Sequence, residues 1–256
     1  MTDEGSRADL DEIVGDTPQL KQVLQLAMKV AGSDTPVLIL GEPGSGRELI
    51  ARAVHRISPR RHESFVTVNC ASPGERSLAS HLFGEADEVG KPTIGQLEVG
   101  HKGVLFLNEI ALIPLSAQTK LVRLLGRREF ERWGSTHRIP ANVRLIASTK
   151  YDLGERVAEA TFEEDLYDQL NIFPIRVPAL RERRDDIPLL ANYFVQRFSR
   201  RLNKAIDPIP DETMSSLVNF DWPGNVRQLE NLIERAVVLA EGSVLRIPSR
   251  RMELQL

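Results

Sequence analysis

The chain has 256 residues, of which 41% are hydrophobic and 27% charged, ordinary globular proportions that exclude a disordered or fibrous protein. Thirty-six acidic against 33 basic residues give a net charge of −3, so no bulk positive field holds nucleic acid nonspecifically. No apolar run reaches the ~20 residues of a membrane-spanning helix, and the acidic start MTDEGSRADLDE lacks a signal peptide's apolar stretch. The one cysteine, Cys70, excludes an internal disulfide and a multi-cysteine metal site; a small buried hydrophobe in a cytoplasmic protein is expected.

In chain order, Leu20, Val23, Leu24, Ala27 and Val30 follow helical spacing, and Val37 to Leu40 form a short apolar run stopped by Gly41. Leu49, Ile50, Ala53, Val54 and Ile57 return to helical spacing, so a glycine loop opens directly into a helix. Further buried strands are expected at Phe65 to Val68, Val104 to Leu107, Val143 to Ala147 and Ile172 to Ile175. Strands alternating with helices predict an α/β fold, a parallel sheet covered on both faces, ending near Pro178. After the charged stretch PALRERRDD, Asp185-Asp186-Ile187-Pro188 reads as a helix cap followed by a first-turn proline. Periodic runs at Leu189 to Leu202, Met214 to Val218 and Val226 to Leu239 predict a small helical bundle.

Gly41-Glu42-Pro43-Gly44-Ser45-Gly46-Arg47-Glu48 lies between strand and helix, where backbone N–H groups and the helix dipole favour a polyphosphate. Its glycines have P-loop spacing, but Arg47 and Glu48 stand where G-x-x-x-x-G-K-[ST] has lysine and a hydroxyl, and the residues alone leave a ligand-free turn open. The strand Val104 to Leu107 ends in Asn108-Glu109, where P-loop proteins place a magnesium-orienting aspartate. Asparagine can hydrogen-bond a metal's water without adding negative charge, and Glu109 could polarise a water; both residues could equally cap the next segment. His55, His62, His81, His101 and His137 have no metal-ligand spacing.

The stretches LILGEPGSGRELIARAVH, FVTVNCA, LFGE, GVLFLNEI, REFERWGS, VRLIAST, LNIFPIRVPALRERRDDIPLLANYF and FDWPGNVRQLENLIERAVVLA together resemble the central AAA+ domain of sigma-54-dependent transcriptional activators, over nearly the whole chain. The resemblance implies a three-layer α/β/α P-loop subdomain with a helical lid, assembled in rings that hold each nucleotide between neighbouring subunits. It divides the chain into a tail over 1–12, a nucleotide-binding subdomain over 13–178, a lid over 179–243 and a tail over 244–256. Carried residue by residue, it implies ATP or ADP contacts at Ile13, Val14, Gly41, Glu42, Pro43, Gly44, Ser45, Gly46, Arg47, Glu48, Asn108, Thr149 and the lid arginine Arg227. Glu109 would be the catalytic residue of an active member, and Asn108 the residue nearest Mg2+, through water.

Four elements depart from that family's pattern. Its loop reads GESGTGKE, so Glu48 is normal and Arg47 replaces lysine, a nonconservative exchange at a crowded phosphate site. Asn108 replaces the aspartate of LFLDEI. The two arginines of FREDLYYRLN, which in the family reach the neighbouring subunit's nucleotide, are here Glu163 and Gln169, with Arg156 or another nearby arginine as the alternative source of that charge. The GAFTGA element that touches sigma-54 is missing from Leu82 to Glu98, whose acidic run reads as a solvated hairpin or turn, and a sigma-54 contact is therefore not expected. RIPSRRMELQL after the last helix leaves no room for a helix-turn-helix, so no direct DNA binding is expected within this chain. The expectation is an ATPase-impaired regulatory or interaction module that joins homo- or hetero-oligomers of AAA+ subunits. The alternatives are an active ATP-hydrolysing sigma-54 activator core and, from another class, a small-molecule or phospho-transfer enzyme on the same fold.

Overall fold

The computed structural model describes residues 13–71, 74–86 and 92–245. The chain forms two compact units, one of Gln25–Leu40 with Glu48–Arg176 and one of the residues through Leu24, Gly41–Arg47 and Val177 onward.

The first unit receives the second half of α1 (Pro18–Ala31) and continues with β1 (Val37–Leu40), α2 (Arg47–Arg56), β2 (Phe65–Asn69), α3 (Glu75–Phe83), α4 (Gln96–Val99) and β3 (Val104–Asn108). A 3-10 turn (Ile110–Leu112) leads to α5 (Leu115–Arg127), the antiparallel pair β4 (Glu129–Glu131) and β5 (Arg138–Pro140), β6 (Arg144–Thr149), α6 (Leu153–Ala158), α7 (Glu164–Leu170) and β7 (Pro174–Arg176). The main sheet is parallel, in the order β2-β3-β6-β1-β7, with helices on its faces. Its inner strands are near-continuous apolar runs because helices cover both faces, whereas β2 alternates and β7 opens with a proline, as edge strands can. Leu38, Leu105, Leu107, Leu145 and Ala147 of the strands join Leu82, Phe83, Leu121 and Leu166 of the helices in one buried core.

Register decides what lies at the carboxyl edge of the sheet. Leu40 is level with Thr149 and Arg176, and Asn108 with Ser148 and Asn69. Two strands are displaced from the sequence expectation. The strand expected at Val143 to Ala147 runs from Arg144 to Thr149, because the buried Arg144 guanidinium donates to Val30 O (2.8 Å) and Ala31 O (2.9 Å), capping α1, while Ser148 and Thr149 are buried with it. Desolvation draws the Arg144 guanidinium down to about 10. The strand expected at Ile172 to Ile175 is only Pro174 to Arg176, and Ile172 is 61% exposed. In the acidic run, Glu85 and Thr93 pair antiparallel through bonds of 3.1 and 2.9 Å; residues 87–91 lie outside the described residues, as do the expected tail over 1–12 and residues 246–256 of the other.

The second unit contains a 3-10 turn (Leu180–Glu182), α8 (Asp186–Leu202), α9 (Asp211–Asn219) and α10 (Asn225–Leu239). Leu180, Ile187, Phe194, Phe198, Leu217, Trp222, Leu229 and Ile233 form its core. Trp222 is fully buried at φ 50° and its indole N–H donates to Leu217 O at 2.8 Å, so packing holds a strained backbone. Ion pairs Arg197–Glu230 and Arg201–Glu234 join α8 to α10, and Lys204 Nζ donates to the carbonyls of Val237, Val238 and Ala240 at the end of α10. The cap expected at Asp185-Asp186 is not formed: Asp185 precedes α8 in helical conformation with no side-chain cap bond, and Asp186 is turned inward instead.

Candidate functional site

Gly41 to Arg47 connect β1 to α2 in the second unit. Gly44 (φ +76°) needs its missing side chain twice over, for its backbone angle and because a Cβ there would stand 2.4 Å from Gly224 O. Gly46 is also left-handed, at φ +108°. Ser45 is 1% exposed and its Oγ has no hydrogen-bond partner among the described residues; Arg47, the first residue of α2, is buried as well. A ten-residue helix beginning at a cation, preceded by left-handed glycines and an unsatisfied buried hydroxyl, is a donor-rich concavity suited to phosphate oxygens.

Residues from the C-terminal part of the same unit hold this loop. Arg181 grips Glu42 with two hydrogen bonds (2.5 and 2.8 Å), which raise the Arg181 pKa. Asn225, at φ 54°, an angle asparagine tolerates, donates from Nδ2 to Glu42 Oε2 (3.0 Å) and Pro43 O (3.1 Å) while its Oδ1 accepts from Leu180 N (2.8 Å). Arg183 Nη2 donates to Ser45 O at 2.8 Å, and burial pushes its pKa down. Arg227 donates its backbone N–H to Gly44 O (3.3 Å), and its guanidinium has no hydrogen-bond or ion-pair partner among the described residues. Val14 packs on the lid core, and Ile13 is half-buried.

The remaining candidates belong to the first unit. Asn108 ends β3, and its Oδ1 accepts from Ser148 Oγ at 2.9 Å. Glu109 follows in left-handed conformation (φ 58°, ψ 50°), ahead of the 3-10 turn but without a side-chain cap bond, so capping explains neither residue. Cys70 donates its backbone N–H to Asn108 O (2.8 Å); its thiol is buried and pushed up to about 12 by desolvation and the Glu109 charge. Thr149 is buried, with Oγ1 accepting from Tyr151 N at 3.0 Å. Glu48 is exposed and bound by Arg52 one turn along α2 (2.6 and 3.0 Å).

Glu163 precedes α7, where a carboxylate suits the helix dipole; its N–H donates to Gln118 Oε1 (2.7 Å) and its Oε1 accepts from Thr119 Oγ1 (3.3 Å). Gln169 lines a cavity of about 320 Å³ with Asp34, Arg60, Arg128 and Asn142. Arg156 stacks over Tyr151, 4.5 Å from the ring centroid. The sequence assigned Arg227 within the lid but not Arg181, Arg183, Asp186 or Asn225. Their charges read as a solvated linker, and the only local signal was the i, i+3 opposition of Arg183 and Asp186.

The profile of the Sigma-54 interaction domain matches residues 13–176, and that of the AAA+ ATPase lid domain matches residues 181–254. The chain is 49% identical over 246 residues to the formate hydrogenlyase transcriptional activator FhlA of Escherichia coli, covering 94% of this chain and 35% of that one. It is 44% identical to the transcriptional regulatory protein ZraR of Escherichia coli, covering 91% of this chain and 54% of the relative. Among solved structures, NtrX from Brucella abortus in complex with ADP superposes with a TM-score of 0.84 at 37% identity, over 93% of this chain and 54% of that one; the NtrX complex with ATP gives the same figures. With these matches across sheet and lid, the chain belongs to the sigma-54 interaction domain family of AAA+ proteins.

Proposed function

We propose that the chain is a nucleotide-binding AAA+ core of a cytoplasmic transcription regulator, holding ATP or ADP while hydrolysing it poorly, and acting as a regulatory subunit among AAA+ partners. Binding is supported by the loop: the left-handed glycines, the unsatisfied Ser45 hydroxyl, the buried Arg47 and the uncommitted Arg227 guanidinium supply donors for phosphates. Ile13 and Val14 offer half-buried apolar surface for the base. The ADP and ATP complexes of the related NtrX add weight to this assignment.

The single observation that carries the impairment is Asn108. A bound Mg2+ neutralises charge on the phosphates during transfer. The donors here fit it poorly: Asn108 is neutral with its oxygen accepting from Ser148, and the Glu48 carboxylate is committed to Arg52. Glu109 is the residue we assign to polarise a water in any residual turnover. Glu163 and Gln169 supply no positive charge to a neighbouring subunit's phosphates.

The test is titration of ATP and ADP with and without Mg2+, with hydrolysis followed on the same sample. Both nucleotides should bind, with weak metal dependence and turnover far below that of an active relative; turnover matching that relative overturns the impairment. Without a GAFTGA element the chain should not retain sigma-54, and a pull-down that retains it in the presence of a transition-state analogue removes that part of the reading.

A further inference from the structure

Two stretches of the second unit that are far apart in sequence meet the same pair of buried lid charges. Asp186 is fully buried, and its carboxylate accepts three hydrogen bonds from the segment before α1: Asp16 N to Oδ1 (2.7 Å), Thr17 N to Oδ1 (3.0 Å) and Thr17 Oγ1 to Oδ2 (2.8 Å). One turn earlier, Arg183 is 4% exposed, its Nη1 lies 3.9 Å from Asp186 Oδ2, and its Nη2 donates to Ser45 O in the loop (2.8 Å). Gly15 completes the junction, since a Cβ there would come within 2.8 Å of the Asp186 carboxylate and 2.4 Å of Leu20.

A buried carboxylate and a buried guanidinium both lose their hydration, so the pair depends on the hydrogen bonds the surrounding protein supplies to it. Backbone supplies most of these partners: two N–H groups of segment 13–17 donate to the carboxylate beside the Thr17 hydroxyl, and a loop carbonyl accepts from the guanidinium Nη2, while the buried Arg183 Nε has no hydrogen-bond partner among the described residues. Backbone partners fix position in a way that flexible side chains do not. The apolar residues Ile13 and Val14 immediately precede the gripped pair Asp16-Thr17.

We infer that Arg183 and Asp186 are positioning residues that set segment 13–17 at a fixed offset from loop 41–47, so that recognition of the nucleotide base depends on a lid carboxylate that touches no ligand. The inference rests on the nucleotide reading above and assigns the base half of that site its support. Asp186 serves the base side, Arg183 the phosphate side, and the contact between them couples the two.

The experiment compares ATP, GTP and inorganic tripolyphosphate on the full chain and on Thr17→Val, Asp186→Asn and Arg183→Lys, with thermal melts to confirm folding. Tripolyphosphate carries the phosphates and no base. Thr17→Val, which removes one buried hydrogen bond, should weaken ATP about fivefold and leave tripolyphosphate unchanged. Asp186→Asn should weaken ATP more and narrow the preference for ATP over GTP. Arg183→Lys loses the fork that reaches Ser45 O and should weaken ATP and tripolyphosphate together. Thr17→Ser, which keeps the hydroxyl, should restore ATP affinity. If Thr17→Val and Asp186→Asn lower ATP and tripolyphosphate by equal factors, or change neither, the positioning role is overturned. If the wild-type chain binds neither ligand, the nucleotide reading itself falls, a result that the wild-type titration alone identifies.

Discussion

Loop 41–47 and the strand end Asn108-Glu109 are both places where a P-loop protein does its chemistry, yet the chain maintains them unequally. Around the loop, Arg181, Arg183, Asn225 and the Arg227 backbone converge on Glu42, Pro43, Gly44 and Ser45. At the strand end a neutral asparagine bonds a serine, and before α7 a glutamate bonds a threonine and a glutamine, local contacts that satisfy each side chain where it stands. The difference is what the proposed function rests on: holding a ligand needs a fixed backbone, whereas turning it over needs particular charges.

The largest expected effect breaks that contrast outright. Replacing Glu163→Arg, Gln169→Arg, Asn108→Asp and Arg47→Lys together should raise ATP turnover about a thousandfold, the scale of arginine-finger contributions. The measurement is steady-state phosphate release against protein concentration, because fingers act between subunits and the gain should appear only where rings form. No gain in assembled rings would mean that these four residues do not limit turnover. Arg156 is a poor natural substitute, being stacked on Tyr151.

A smaller effect sharpens the contrast within the binding half. Asn225→Ala removes three hydrogen bonds and strands the buried Leu180 N–H, a loss of about 1–3 kcal/mol. Asn108→Ala removes one partly buried bond, so about 1 kcal/mol or less is expected. Urea midpoints should follow that order, and nucleotide affinity should fall in Asn225→Ala beyond what stability explains. Equal effects would mean the loop is no more firmly held than the strand end.

Much of this was legible in the sequence, for identifiable reasons. Central strands of a doubly covered parallel sheet are apolar on both faces, so Val37 to Leu40 and Val104 to Leu107 announced themselves. The ends of β6 and all of β7 did not, because Arg144, Ser148 and Thr149 are buried through hydrogen bonds and β7 has one inward residue. The glycine loop was readable because its angles demand glycine. The lid's grip was not: in PALRERRDD nothing local separates buried Arg183 and Asp186 from Arg184 and Asp185, which reach solvent.

The smallest expected effect concerns acid stability in the first unit, away from both halves of the site. Glu98 accepts from Arg132 through both carboxylate oxygens (3.0 and 2.7 Å), and these bonds hold its pKa below 4.5 despite partial burial. A carboxyl whose folded pKa is depressed stabilises the fold fully above its unfolded value, and the contribution disappears as pH falls through the folded one. The pair should therefore contribute at pH 7 and vanish during acidification below about 4.5. With both side chains about one-fifth exposed, the contribution should stay within about 1 kcal/mol. Arg132→Met should lower the urea midpoint at pH 7, and the gap from wild type should shrink as pH falls through the depressed folded pKa of Glu98. Parallel curves across that range would mean that lost packing, not the ion pair, accounts for the variant's lower stability, while Asp34, likewise depressed by its bonds to Arg60, would continue to supply an acid-sensitive slope in both proteins.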